Sequence, residues 1–136
     1  MIAENDFLYS QTDEIMISAC SVLLEEDNTS QNVWGYYLCI ENNSKNKISL
    51  VGKDWNITDD KGNRYSDDSV GFKGELPELE PGECFEYTST APLNSGNAVF
   101  YGSCKIKKEG QDKVESIRIP TLFLTTQNIS ETSVLH

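Results

Sequence analysis

Basic side chains are scarce in this chain. Eleven Lys and Arg stand against 22 Asp and Glu in 136 residues, a formal net charge of −11. Proteins that grip nucleic acid neutralise phosphates with a basic face, so that class is disfavoured. The same sign disfavours anionic membrane surfaces and favours cationic or neutral partners. Histidine is scarcer still: the one imidazole is His136, the last residue. Nucleophilic chemistry of the Ser-His or Cys-His kind therefore lacks its base. No apolar run reaches the length of a membrane span. Met1-Ile2-Ala3-Glu4-Asn5-Asp6-Phe7 holds an early acidic pair where a signal peptide needs an apolar core. A cytoplasmic address is the expectation, with no nucleic-acid and no membrane partner.

Cysteine spacing excludes more. Cys20, Cys39, Cys84 and Cys104 include no Cys-x-x-Cys pair, which removes the usual zinc frame. Cys39…Trp55…Cys104 imitates the immunoglobulin order. In Val33 to Glu41, however, Trp34, Tyr36, Leu38 and Ile40 share one phase and Cys39 falls in the other. Cys104 shares the inward phase of Ala98, Phe100 and Ile106. Thiols that face apart cannot meet the geometry of a disulfide, so four free thiols of a reducing compartment are expected.

What the chain does hold is two-residue alternation broken by turn chemistry. In Leu79-Glu80-Pro81-Gly82-Glu83, Pro81 pre-sets the second turn position and Gly82 tolerates a positive φ at the third. Phe85, Tyr87 and Ser89 then alternate with Cys84, Glu86 and Thr88. Further strands are predicted at Ile15 to Leu24, Val33 to Glu41, Ile48 to Thr58 with a bend at Gly52, Ala98 to Ile106 and Val114 to Ile119. Asp59-Asp60-Lys61-Gly62-Asn63 turns the chain back toward Arg64 and Tyr65, and Pro120 makes Thr121 to Leu124 an edge segment. Residues 66–80 read as the longest irregular connection. The pattern predicts an all-β sandwich or barrel of seven to eight strands in one domain. Residues 1–12 are expected as a flexible lead-in, 13–124 as the domain and 125–136 as a flexible tail.

Several blocks, in order, resemble the ApaG family. They are Tyr37-Leu38-Cys39-Ile40-Glu41-Asn42, Trp55-Asn56-Ile57-Thr58-Asp59, and Gly71-Phe72-Lys73-Gly74-Glu75-Leu76-Pro77-Glu78-Leu79-Glu80-Pro81-Gly82-Glu83. Phe85-Glu86-Tyr87-Thr88-Ser89, Pro92-Leu93, Gly102-Ser103, Ile119-Pro120 and Phe123-Leu124 complete the series. The resemblance implies an immunoglobulin/fibronectin-III-like sandwich of two antiparallel sheets. It also implies a role in protein contacts, as in eukaryotic proteins that carry the domain, and a genetic link to cobalt and magnesium efflux in bacteria. Bacterial relatives often carry a Gly-x-Gly-x-x-Gly loop ahead of the Pro-Gly turn. Here Ser69 replaces its first glycine, leaving Gly71 and Gly74 with Lys73 between them. A phosphate cradle needs a helix N-terminus after its glycines, and Pro77 and Pro81 forbid one.

The candidate residues sort into three groups. Tyr37 and Tyr101 lie in the phase opposite each strand's main apolar set and are the candidates for protein contact. Ser69, Gly71, Lys73 and Gly74 are the alternative, a phosphate site. Asp59, Asp60, Asp67 and Asp68, with Asp54, could offer oxygen ligands to a hard cation, although Asp59-Asp60 suits a hairpin turn without one. Trp34, Trp55, Phe85 and Phe100 are expected in the core. The reading is a non-enzymatic module with no cofactor and an unidentified protein partner, with self-association left open.

Overall fold

A computed structural model describes residues 7–26, 32–68 and 70–125. These residues form ten strands and no helix: β1 (Leu8–Thr12), β2 (Ile15–Glu26), β3 (Asn32–Asn42), β4 (Ile48–Asp59), β5 (Arg64–Asp67), β6 (Glu78–Leu79), β7 (Cys84–Leu93), β8 (Asn97–Lys108), β9 (Val114–Arg118) and β10 (Leu122–Thr125). One sheet runs β1-β2-β3-β7 and the other β10-β8-β4-β5, with β9 beside β8 and β6 beside β4. All pairings are antiparallel, as expected from the alternation.

Two strands exceed the expected count. β6 is a two-residue pairing of Glu78–Leu79 with Ile48 and Ser49. β1 corrects the reading of 1–12 as a flexible lead-in. Leu8–Thr12 pairs with Ile15–Ala19 across a turn in which Asp13 takes a φ of 53°, a conformation that Asp tolerates better than most residues. Residues 1–6, most of the acidic stretch 25–30, and the tail beyond Thr125 lie outside the described residues.

The core lies between the inner faces. Ile15, Ile17 and Ala19 of β2 and Trp34, Leu38 and Ile40 of β3 meet Phe100, Cys104 and Ile106 of β8. Trp55 is the hub, edge-on to Tyr36, Phe72, Tyr87 and Phe100 at centroid distances of 5.1–6.3 Å, in the geometry that ring quadrupoles favour. A bulge between Leu50 and Gly52 reverses the phase of β4. Ile48 and Leu50 point inward before it, and Lys53 and Trp55 after it. None of the four cysteines forms a disulfide. Cys104 is fully buried on the inner face while Cys39 is half-buried on the outer one, which rules out the immunoglobulin bridge.

One polar side chain fastens a corner of the core. Asn42 is wholly buried, and its Nδ2 donates to the carbonyls of Asn46 and Leu79, both at 2.9 Å. Its Oδ1 accepts from Ser44 N and Oγ at 3.0 and 2.6 Å. Its backbone takes the Gly82 N–H and gives its own N–H to Glu83. The Pro81-Gly82 turn closes as expected, with Glu83 N on Glu80 O at 3.0 Å and a Gly82 φ of 87°.

Candidate functional site

The segment read as irregular is the wall that closes one side of the sandwich. Phe72 enters the core with no exposed surface and packs against Trp55, Phe85 and Tyr87. Phe72 and Glu75 exchange backbone bonds of 2.8 and 3.1 Å, and Lys73 and Gly74 between them have φ of 52° and 86°. That is a two-residue hairpin turn of the primed kind. Gly71 has a φ of 79°, and a Cβ there would lie 2.6 Å from the Glu75 carbonyl. The glycines are thus required by a hairpin.

A phosphate cradle needs N–H groups aimed outward. Here the N–H of Gly71 goes to Val51, and those of Phe72 and Glu75 go to each other's carbonyls. The Lys73 ammonium donates to Thr88 O at 2.7 Å and lies 5.0 Å from the Tyr87 ring. Ser69 lies outside the described residues. Gly71, Lys73 and Gly74 are therefore brought together, with the Gly71 N–H and the Lys73 ammonium already engaged within the chain.

Beneath this hairpin sits Lys53, 3% exposed. Its Nζ donates to Gly71 O at 2.9 Å and lies 3.7 Å from an Asp67 oxygen. The rings of Phe72, Trp55 and Tyr87 surround it at 5.2, 5.6 and 5.8 Å, an aromatic box that stabilises a desolvated cation. The chain carries its own occupant for the box. The sequence held a signal for it: a glycine inside a strand marks a bulge, and one extra residue at Gly52 turns Lys53 inward.

The acidic candidates do not converge. Asp59 is buried in the turn and accepts from Lys61 N, Asn63 N and Asn63 Nδ2 at 2.8–3.1 Å. Burial opposes its charge, and the Asn63 and Lys61 donors outweigh that and hold the carboxyl below its ordinary range. Asp60 is likewise held low by the Ser95 hydroxyl and the Asn97 amide. Asp67 lies opposite Trp55, at the far end of the β4–β5 hairpin from Asp59. Asp68 and Asp54 are exposed. Among the described residues no three His, Cys, Asp or Glu side chains are grouped to hold an ion.

Tyr37 and Tyr101 are also kept apart, because each belongs to a different sheet. Tyr101 lies on the outer face of β8, where its hydroxyl meets Thr58 Oγ1 at 3.2 Å. Tyr37 lies on the outer face of β3, edge-on to Phe7 at 5.6 Å. Around Tyr37 runs an open groove of about 610 Å³, lined on one side by Phe7, Cys20, Val22 and Leu24 and on the other by Lys73 and Thr88. Leu24 lies across Gly35, where a Cβ would approach its Cδ1 to 3.0 Å. Tyr9, Val22 and Leu24 are 58, 37 and 57% exposed on this sheet.

Comparison with known proteins places this sandwich. The profile of the ApaG domain matches residues 24–108. Protein ApaG of Agrobacterium fabrum is 31% identical over 121 residues, 87% of this chain and 92% of that one. The chain belongs to the ApaG family. Protein ApaG of Brucella canis is 35% identical over 99 residues, 73% of this chain and 75% of its own. Among solved structures, the putative ApaA protein from Bordetella pertussis superposes with a TM-score of 0.76 at 24% identity, covering 86% of this chain and 94% of that one. The structural-genomics target SoR45 gives 0.78 at 22%, covering 88% and 92%. These likenesses establish the ApaG fold. No helix among the described residues is long and apolar enough to cross a membrane.

Proposed function

We propose that the protein is a non-enzymatic docking module whose contact surface is the outer face of the β1-β2-β3-β7 sheet. The observation that carries this reading is the apolar groove beside Tyr37, with Tyr9, Val22 and Leu24 exposed around it. Large apolar side chains gathered on one face mark interaction surfaces more often than scattered ones do. The acidic balance of the chain favours a neutral or basic protein partner over nucleic acid, and four cysteines outside any disulfide suit the cytoplasm. A link to cobalt and magnesium efflux, implied by the family, would act through such a contact. The carboxylates of the acidic turn already have donors from the chain.

The test is affinity capture with Leu24→Asp and Tyr37→Ser on the proposed face and Tyr101→Ser on the opposite one. The first two should lose a partner set that the third retains. A partner set unchanged by Leu24→Asp overturns the proposal. Calorimetric titration with Mg²⁺, Co²⁺ and ATP addresses the small-ligand alternative at 67–74. Heat of binding lost on Lys73→Ala would favour that alternative.

A further inference from the structure

The outer face of β3 and β7 also brings two thiols together. Cys39 stands opposite Glu86, and Cys84 stands opposite Glu41, so the cysteines are diagonal neighbours on adjacent strands. Both side chains take the outer face of this sheet. Cys84 is exposed and Cys39 half-buried.

We propose that Cys39 and Cys84 form a two-coordinate site for a soft cation of the copper(I) kind. Two arguments lead there, and neither depends on the docking reading. The first is geometric. Diagonal pairs have Cα atoms about 7–8 Å apart, beyond the 4.4–6.8 Å usual for a disulfide. Two metal–thiolate bonds of about 2.3 Å place their sulfurs about 4.6 Å apart, a longer bridge than the S–S bond of about 2 Å in a disulfide.

The second argument is ligand count. No third His, Cys, Asp or Glu completes a metal-binding group here among the described residues. Zinc, which takes four ligands, and Mg²⁺ or Ca²⁺, which take six or more oxygens, are therefore not served. Thiolate donors select soft ions, and copper(I) accepts two of them. Loading is a metal-for-proton exchange: Cu⁺ and two thiols give one anionic bis-thiolate complex and two protons released to buffer.

The test is an anaerobic titration of the full chain, in excess ascorbate, with copper(I) supplied as its coloured bicinchoninate complex. The wild-type protein should withdraw one equivalent. Cys39→Ser and Cys84→Ser should each weaken capture about 100-fold or more, because losing one ligand abolishes chelation. Thermal melts establish that both variants are folded, and Cys84→Ala provides a second substitution at an exposed position. The proposal is overturned if wild-type protein leaves the complex intact, or if Cys84→Ser captures copper as well as wild type. It is equally overturned if the pair in air loses two hydrogens in mass, giving a disulfide, and the reduced protein takes no copper.

Discussion

The two outer faces of this sandwich are built on opposite plans. On the β10-β8-β4-β5 sheet, polar side chains are bonded sideways to one another. Asn56 Oδ1 accepts from Arg64 and Ser66, both at 3.0 Å, Thr58 meets Tyr101, and Lys105 donates to Ser116 at 3.1 Å. Phe123 and Val114, with Tyr65 on β5, are exposed large apolar residues of this sheet. On the β1-β2-β3-β7 sheet the corresponding positions hold Tyr9, Val22, Leu24, Tyr37 and the thiols of Cys20, Cys39 and Cys84. A sheet face whose polar groups satisfy one another needs nothing further. A face of rings, branched chains and sulfur gains by being covered.

The largest expected effect falls on the core that both faces share. Trp55→Ala should cost about 3–5 kcal/mol in urea unfolding, and both faces should melt together in one transition. Next comes Lys53→Met, which keeps the packing but leaves Gly71 O without its donor. It should cost about 1–3 kcal/mol and open the 70–75 hairpin to limited proteolysis. Resistance to cleavage equal to wild type would show that Lys53 does not hold the wall.

A smaller effect concerns pH. Folded Asp59 titrates below its unfolded value, so its contribution is present above about pH 3.9 and is lost as pH falls through the folded pKa. Asp59→Asn should flatten the acid limb of the stability curve, and a limb as steep as wild type would count against the turn as its source. Smallest are the thiol rates without denaturant. Exposed Cys84 should be alkylated first and Cys39 after it. Cys104, fully buried and pushed up to about 12 by that burial, should come last.

Alternation and turn chemistry made most of the sandwich legible in the sequence. The phases of Trp34, Leu38, Ile40, Phe100 and Cys104, and the turns at Pro81-Gly82 and Asp59–Asn63, follow from periods and residue types alone. Three features did not. Phase says which side of its own strand a residue takes, but not which sheet that strand joins, so Tyr37 and Tyr101 could be read as one patch. Phe72 sits in a stretch without period, and a lone anchor has no pattern to betray it. Lys53 reads as solvent-facing until the bulge at Gly52 is counted, since one inserted residue exchanges the faces of everything after it.

Asn42 carries a kinetic consequence. A single amide ties the 42–46 turn to Leu79, and its backbone holds Gly82 and Glu83, nearly forty residues further along the chain. Such distant closure bears its entropy cost before any reward arrives. Assembly of this corner is therefore expected to be late and concerted, and replacing Asn42 should slow refolding as well as weaken the folded state.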